Sequence, residues 1–521
     1  MGIVAVVLIV LAAIAIVLMT AKASLEPTDS ALAKVGMPLG GGKIVSVAVI
    51  GGRERKLVPV KVVGDEIVAA KPVPADDPVK IRVVIKRPGW ISWLSGKTET
   101  LTLKYTTPTA STRTHFITLR KGAPLKLHFK APIEAYEYGP TAHQLKRKVL
   151  RKPSSVITLP HTGLAGTLYV AAQIHKWETS PSAQISYFPG GQGATAVSYP
   201  SPGKTINPTT PITLSFSKPI SKVLGSHRPT VTPATTGTWK QISSHRIEFV
   251  PSGYGYGLDA HVQITMPNGV RLIGGQSGTA TSGTWTVPNG TVTRAQQILA
   301  DLGYLPVTFK YAGKGPGTTV SDQENAAVNT PKGTFSWRYP NTPEQLKEQW
   351  QPGADGVVTK GAIMMFESDH GLTADGTLSP AVWKALIDAA VAGKRSAFGY
   401  SFVMVHEASS GETTTLWHNG QTIITTPANT GVAGAETALG TYPVFEHLPS
   451  TTMSGTNPDG STYVDPGILW VSYFNGGDAL HYYPRGGYGY PQSNGCVEMP
   501  EAAAAKIYPY TPIGALVDVS T

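Results

Sequence analysis

Apolar and polar residues along the chain follow two periods, and the period changes near residue 290. Before that point, short segments alternate apolar and polar residues between Gly, Pro and Asp, as in KIVSVAVI from Lys43 and VKIRVVIKR from Val79. This alternation is typical of half-buried strands. From Val292 apolar residues recur every three or four positions, which predicts helices. After residue 399 the strand pattern returns, so we predict a mainly β, multidomain protein.

The first segment follows neither period. Residues 3–19 read IVAVVLIVLAAIAIVLM and contain no charge. As a helix rising about 1.5 Å per residue, they would nearly reach across a bilayer. We predict an exported chain with an N-terminal transmembrane helix in residues 1–23, kept as a single-pass anchor. Secretion after cleavage is the alternative, because Ala21 to Ala23 form an Ala-x-Ala pattern. The small, polar residues 24–40 predict a spacer.

Three β modules are predicted between this spacer and the helical region. The first is a small β-module at residues 40–108. A repeat follows, because Pro124 to Ile133 reads PLKLHFKAPI and Pro211 to Ile220 reads PITLSFSKPI, at an offset of 87 residues. That period is about the size of one immunoglobulin-like sandwich. We therefore predict two tandem Ig-like β-sandwiches, at residues 109–202 and 203–289.

The helical region is predicted to extend over residues 291–395. Its third helix should begin at Ser379-Pro380, a favourable N-cap followed by a proline suited to the first turn. The segments AQQILADLGYL and DGVVTKGAIMMFESDHGLTADGTLSPAVWKAL resemble the peptidoglycan-binding domain, a small three-helix fold. An insertion at about 306–350 interrupts the resemblance. The resemblance implies wall binding, and a purely structural spacer is the alternative.

Charge and cysteine content narrow the setting of the protein. The net charge of +11 suits a membrane surface or a polyanionic wall. Lys and Arg are spread out without a dense basic run, so solubilising surface charge is an equal alternative, and we expect no nucleic-acid partner. Cys496 is the only cysteine, which excludes an internal disulfide. A lone thiol in an exported chain is either buried and inert or kept for its chemistry.

The surroundings of Cys496 favour the chemical alternative. Nucleophilic thiol catalysis needs a thiolate, a nearby base and donors for the tetrahedral oxyanion. His481 ends an apolar strand 15 residues before Cys496, and the Gly- and Tyr-rich loop between them can bring the two together. Gly495 permits a tight turn. The backbone N–H groups of Asn494, Gly495 and Cys496 are candidate oxyanion donors.

The two segments that carry these residues, NGGDALH and SNGCVEMP, resemble the signature of YkuD-like L,D-transpeptidases, supported by LGTYPVF. The resemblance implies a β-rich catalytic domain, which we place at residues 399–521. In it Cys496 is the nucleophile and His481 the base, while Ser493 and Gly495 shape the turn. Three residues depart from the usual pattern: Asn494, Glu498 and Tyr482. They leave open the acceptor and the third catalytic member, a role often filled by a backbone carbonyl in this family.

The implied activity is formation of 3→3 cross-links between peptidoglycan stems, or attachment of amines to tetrapeptide stems, through a Cys496 thioester. The enzyme would act at the outer face of the cytoplasmic membrane in a bacterial cell envelope. Two alternatives remain: an L,D-carboxypeptidase that uses water, and a non-catalytic wall-binding scaffold. We expect no cofactor and no metal, because the histidines lack ligand-like spacing. Five residues are predicted to contact the substrate. Arg485 would pair with a stem carboxylate, and four tyrosines would form the walls of the cleft: Tyr473, Tyr483, Tyr488 and Tyr490.

Overall fold

Strands dominate the protein. The computed structural model describes residues 2–20, 22–37, 41–90, 92, 96–161, 165–191, 193–273 and 282–521. Strands account for 44% of the chain and helices for 16%, which confirms the mainly β prediction.

The apolar N-terminal segment forms a helix, Gly2–Thr20. In residues 2–20 and in the rest of the described chain, no helix is long and apolar enough to cross a membrane. The predicted transmembrane anchor is therefore not confirmed.

The first β module begins earlier than predicted. Strands Ser24–Glu26 and Ala33–Gly36 lie in a region that we predicted to be a spacer, and they join a four-stranded sheet. Leu32, Ala33 and Val35 are buried in the core between this sheet and a second one. This segment is therefore part of the folded module and not a spacer. The two sheets, in spatial order, consist of Ser24–Glu26, Ala33–Gly36, Glu66–Ala69, Val60–Val63, and of Lys56–Leu57, Lys43–Gly51, Pro78–Lys86, Thr98–Thr106.

The next region is built around a long hairpin of two strands, Leu125–Thr141 and Gln144–Leu159. They belong to one five-stranded sheet with Gly166–Gln173, Ala183–Pro189 and Phe116–Leu119. Strand Thr195–Tyr199 falls within the predicted limits of the first sandwich. It pairs instead with Ile212–Phe216 and therefore lies in the sheet of the next module.

That next module consists of two sheets around one core. Leu214 and Phe249 come from one sheet, Ile264 and Trp285 from the other, and all four side chains are buried together. The sheets contain Gly237–Ser243, Arg246–Pro251, Ile212–Phe216, Thr195–Tyr199, Arg271–Ile273, and Thr230–Thr232, His261–Thr265, Ser282–Thr286.

Three helices form where the period predicts them: Val292–Leu302, Val357–Asp369 and Pro380–Ala392. The Ser379 side chain accepts a hydrogen bond from the Val382 N–H, as expected of an N-cap. The insertion adds structure that the sequence pattern did not predict, namely a hairpin and two short helices: Val307–Tyr311, Gly333–Trp337, Val320–Val328 and Glu344–Glu348.

The C-terminal domain packs two sheets against each other. Asn419 and Gly420 both have positive φ, 47° and 86°, which is the geometry of a two-residue hairpin turn. The first sheet contains Gln421–Pro427, Thr413–His418, Ser401–His406, Leu516–Ser520 and Gly440–Pro443. The second contains Glu446–Thr456, Thr462–Asn475, Asp478–Tyr482 and Val497–Met499, followed by helix Glu501–Ile507 and the short 3₁₀ turn Tyr508–Tyr510.

The helical region and the C-terminal domain share a core. Phe402, Trp417 and Leu516 of the first C-terminal sheet are buried in the same cluster as the helices. Gly361 of helix Val357–Asp369 lies directly against the backbone of Gly514, and a Cβ on either glycine would collide with the carbonyl oxygen of the other. The two regions therefore pack as one body.

Candidate active site

Two parallel strands bring the histidine and the cysteine together. In the pairing of Asp478–Tyr482 with Val497–Met499, His481 lies opposite Glu498. Facing residues on paired strands point to the same side of a sheet, and residues two apart on one strand share a side. Cys496, two residues before Glu498, therefore shares this face with His481. All three line one cavity of about 300 Å³.

The turn that carries Cys496 depends on its neighbours. Gly495 has a φ of +105°, which side chains rarely adopt, and a Cβ there would collide with Asp478 Oδ1. Ser493 is buried, and its hydroxyl donates to the Cys496 carbonyl. Within the described residues, the backbone N–H groups of Asn494, Gly495 and Cys496 have no protein acceptor, so they remain available to an oxyanion.

His481 is held in one tautomer. Its side chain is buried, at 2% exposure, and Nδ1 donates to the Tyr482 carbonyl at 2.9 Å. This bond leaves Nε2 as the nitrogen that can accept a proton. Burial lowers the pKa of His481 below its usual value, more than the Tyr482 carbonyl raises it. The backbone carbonyl of Tyr482 thus has the orienting position that the sequence left open.

The resting thiol is protonated. The pKa of Cys496 is raised to about 12, mainly by burial; the Asp478 and Glu498 carboxylates also act to raise it, and a backbone hydrogen bond from Ala479 acts to lower it. Sγ donates to the Gly477 carbonyl at 3.5 Å. With His481 neutral as well, the site at rest is a neutral thiol and imidazole, so proton transfer must accompany attack on a substrate.

Alkylation of Cys496 should therefore depend steeply on pH. Because the thiol pKa is raised to about 12, the thiolate fraction should grow about tenfold per pH unit from pH 7 to pH 10. Iodoacetamide labelling, followed by intact mass, reads this residue alone, because the chain has one cysteine. Free glutathione, with an ordinary thiol pKa near 8.5, serves as the control, and its alkylation rate should reach a plateau in this pH range. A rate that is already flat at pH 7 would indicate a thiolate–imidazolium pair and contradict the neutral resting state.

Arg485 is engaged within the site itself. Its Nε and Nη2 donate to the two carboxylate oxygens of Glu498, each at 2.7 Å, and Nη2 also donates to the Gln492 carbonyl. The Glu498 side chain is 5% exposed, so this is a well-shielded bidentate pair. The predicted pairing of Arg485 with a substrate carboxylate would compete with this contact. Glu498 is one of the three residues that depart from the usual YkuD-like pattern, and Arg485 is its partner in the structure.

The predicted cleft tyrosines occupy different places. Tyr483 lines the cavity and lies under the Arg485 guanidinium at 4.6 Å. Tyr473 packs against the small cluster that also contacts Cys496. Tyr488 donates to the Tyr483 carbonyl at 2.6 Å and so braces the loop, whereas Tyr490 is 51% exposed and does not line the cavity.

The sequence analysis missed six residues that line the cavity: Met453, Asn457, Tyr463, Asp465, Ile468 and Gln492. Asn457, Tyr463 and Asp465 lie at the end of the long hairpin Glu446–Thr456 and Thr462–Asn475. Tyr463 and Asp465 are two residues apart in a strand, a spacing that predicts a shared face but not which site that face meets. The Asn494 amide donates to Asn457 Oδ1 at 2.6 Å and ties the cysteine turn to this hairpin.

Comparison with known proteins identifies the family of the C-terminal domain. Residues 401–519 match the family model of the YkuD L,D-transpeptidase catalytic domain. The C-terminal domain is a YkuD domain. The match extends from strand Ser401–His406 to strand Leu516–Ser520, so both sheets of the YkuD domain are included. No curated protein matches the chain significantly.

Similar solved structures are L,D-transpeptidases. One from Mycobacterium smegmatis is 12% identical, with 63% of this chain and 100% of that chain covered and a TM-score of 0.21. L,D-transpeptidase 3 from Mycobacterium tuberculosis is 13% identical, with 62% and 97% covered and a TM-score of 0.21. The catalytic domain of the E. faecium L,D-transpeptidase is 21% identical over 23% of this chain and 95% of that domain, also with a TM-score of 0.21.

Proposed function

We propose that the YkuD domain is a peptidoglycan L,D-transpeptidase that uses Cys496 as nucleophile and His481 as base. The observation that carries this proposal is the placement of both side chains on one sheet face, in one cavity, with the Tyr482 carbonyl fixing the imidazole tautomer. A thiol, a neutral base and free backbone donors are the groups that acyl transfer requires.

The proposed reaction has two steps. His481 Nε2 takes the thiol proton while Cys496 Sγ forms a bond to the carbonyl carbon of the third residue of a tetrapeptide stem. The C–N bond to the terminal D-Ala breaks, and the proton passes to the departing amine. In the second step the side-chain amine of a neighbouring stem attacks the thioester, the C–S bond breaks, and the departing Cys496 thiolate takes up the proton that the amine loses. The product is a 3→3 cross-link.

The charges in the cavity favour an amine as acceptor. Glu498 is paired with Arg485, whereas Asp465 accepts, from the side chains that the structure describes, one long hydrogen bond of 3.3 Å from the Tyr483 hydroxyl. A carboxylate in this position attracts an ammonium group, and the apolar side chains of Met453 and Ile468 nearby can contact its aliphatic stem. The same groups would accommodate another amine attached to a tetrapeptide stem.

Product analysis tests this proposal against its alternatives. The full chain, incubated with disaccharide tetrapeptide, should release D-Ala and yield cross-linked dimers detectable by mass spectrometry. The Cys496→Ala chain is the blank. Shortened monomers without dimers would make the protein an L,D-carboxypeptidase, because water would then be the acceptor. Intact tetrapeptide alone would leave the wall-binding scaffold as the better description.

The location follows from the substrate. We place the enzyme in the bacterial cell envelope, where peptidoglycan lies, and propose that the helical region 291–395 contacts the wall. The helix Gly2–Thr20 would then serve export of the chain, either as an anchor or as a removed signal.

A further inference from the structure

A second cavity lies far from the cysteine in sequence, within the helical region. It has a volume of about 290 Å³ and opens between helix Val292–Leu302, strand Val307–Tyr311 and the end of helix Pro380–Ala392. Its charged lining consists of two arginines and one aspartate, Arg294, Arg395 and Asp301. The cavity is therefore cationic on balance, unlike the one at Cys496.

Arg294 at this cavity carries a buried charge, and no carboxylate among the described residues is hydrogen-bonded to it. The residue is 2% exposed, and in the described part of the chain its guanidinium donates to three neutral groups: Gln297 Oε1, Gln323 Oε1 and the Tyr311 hydroxyl. Within the described part of the chain, its Nε has no hydrogen-bond partner. Burying a cation is unfavourable unless a counter-charge compensates it.

The acid in the cavity lining, Asp301, does not contact Arg294 directly. Asp301 is exposed and accepts a hydrogen bond from the Tyr311 hydroxyl at 2.9 Å, so Tyr311 stands between the carboxylate and the guanidinium. Arg395, also exposed, adds a second positive charge at the rim. The two arginines and one aspartate of the lining therefore give the cavity a net charge of one positive unit, which one bound anion would balance.

The shape and lining of the cavity indicate which anion would fit. Arginine recognises planar, bidentate acceptors best, and a carboxylate is such a group. Ile298, Leu302 and Ala390 provide an apolar wall beside the two arginines, which suits an aliphatic side chain next to the anion. We propose that this cavity binds the carboxylate end of an amino acid or short peptide. That the carboxylate belongs to a wall stem rests on the proposed function, whereas carboxylate binding itself does not.

Hydrogen–deuterium exchange of the full chain tests the site locally. A matched pair of probes, N-acetyl-D-alanine and N-acetyl-D-alaninamide, differs only in the carboxylate, and inorganic phosphate tests for a general anion site. We expect the acid, but neither the amide nor phosphate, to slow exchange of Val292–Leu302 amides by about threefold or more at saturation. Equal protection by the amide or by phosphate, or no protection by any probe, would overturn the proposal.

Variants separate binding from folding. Arg294→Gln removes the buried cation but also its three internal bonds, so Arg395→Gln is the decisive change because this residue is exposed. Arg395→Gln should weaken the acid about tenfold through loss of a charge-assisted contact. The neighbouring Lys394→Gln, exposed and outside the cavity lining, is the control and should bind as the unaltered chain does. Unchanged acid binding by Arg395→Gln would also contradict the proposal. Acylation of Cys496 by a carbapenem, a β-lactam, is measured on the same variants. If Cys496 is acylated normally but the acid does not bind, only the proposal for the arginine cavity fails, and the proposed catalytic function stands.

Discussion

Cys496→Ala should abolish acylation by a carbapenem and reduce product formation by about 10³-fold or more. The thiol is the group placed to attack the β-lactam carbonyl, with Sγ bonding to carbon as the ring C–N bond breaks. The chain contains no second cysteine that could substitute for it. Intact mass after incubation should show an adduct on the unaltered chain and none on the variant.

The fold of this variant should survive. Ala removes one sulfur atom from the edge of a small cluster, which costs on the order of 1 kcal/mol. The thermal unfolding midpoint should thus stay close to that of the unaltered chain. An adduct of equal yield on Cys496→Ala would place the nucleophile elsewhere. The absence of any adduct on either chain would favour the scaffold alternative.

His481→Gln should slow acylation by about 10²- to 10⁴-fold, the usual contribution of a positioned general base. The pH profile provides a second measure. Because the pKa of His481 is lowered by burial, its base form is present throughout neutral pH, and the acid limb of the unaltered chain should lie below the ordinary histidine value of about 6.5. In the variant that limb should disappear, and the remaining rate should rise with pH as the thiol ionises. Stopped-flow measurement of β-lactam absorbance gives both quantities.

His447→Gln is a matched control in the same domain. His447 contacts the Ser472 hydroxyl through Nδ1 and stacks on Tyr508, outside the lining of the cysteine cavity. It should therefore change stability without changing the acid limb. Should His481→Gln and His447→Gln slow acylation equally, the effect would be structural and His481 would lose its role as base.

Local signals in the sequence account for much of this site. The Gly495 turn follows from a residue that must adopt positive φ, and the strand before His481 follows from its apolar residues. A short motif could therefore predict the cysteine and histidine as partners. The orienting carbonyl of Tyr482 could only be left open, since any residue supplies a carbonyl and nothing in its side chain marks the role.

Contacts between distant segments were not predictable in the same way. Arg485 and Glu498 are 13 residues apart, and their pairing depends on how the intervening loop folds back. Asp465 reaches the cavity because of the register of a long hairpin, which alternation alone does not fix. The prediction of a spacer was wrong over residues 24–37 for a related reason, because short strands with small residues such as Ala33 resemble linkers until a partner sheet covers them. Residues 38–40 of the predicted spacer lie outside the described residues.

The close contact of Gly361 with Gly514 has a mechanical consequence. Because Phe402, Trp417 and Leu516 are buried together with the helices, the arginine cavity and the YkuD domain belong to one packed body. If both cavities bind parts of the same peptidoglycan polymer, the distance between them is fixed. The protein would then select strands in which the spacing of the bound groups matches that distance. Removing the helical region by truncation near residue 399 would abolish this fixed distance. It would also expose the apolar side chains of Phe402, Trp417 and Leu516 to water.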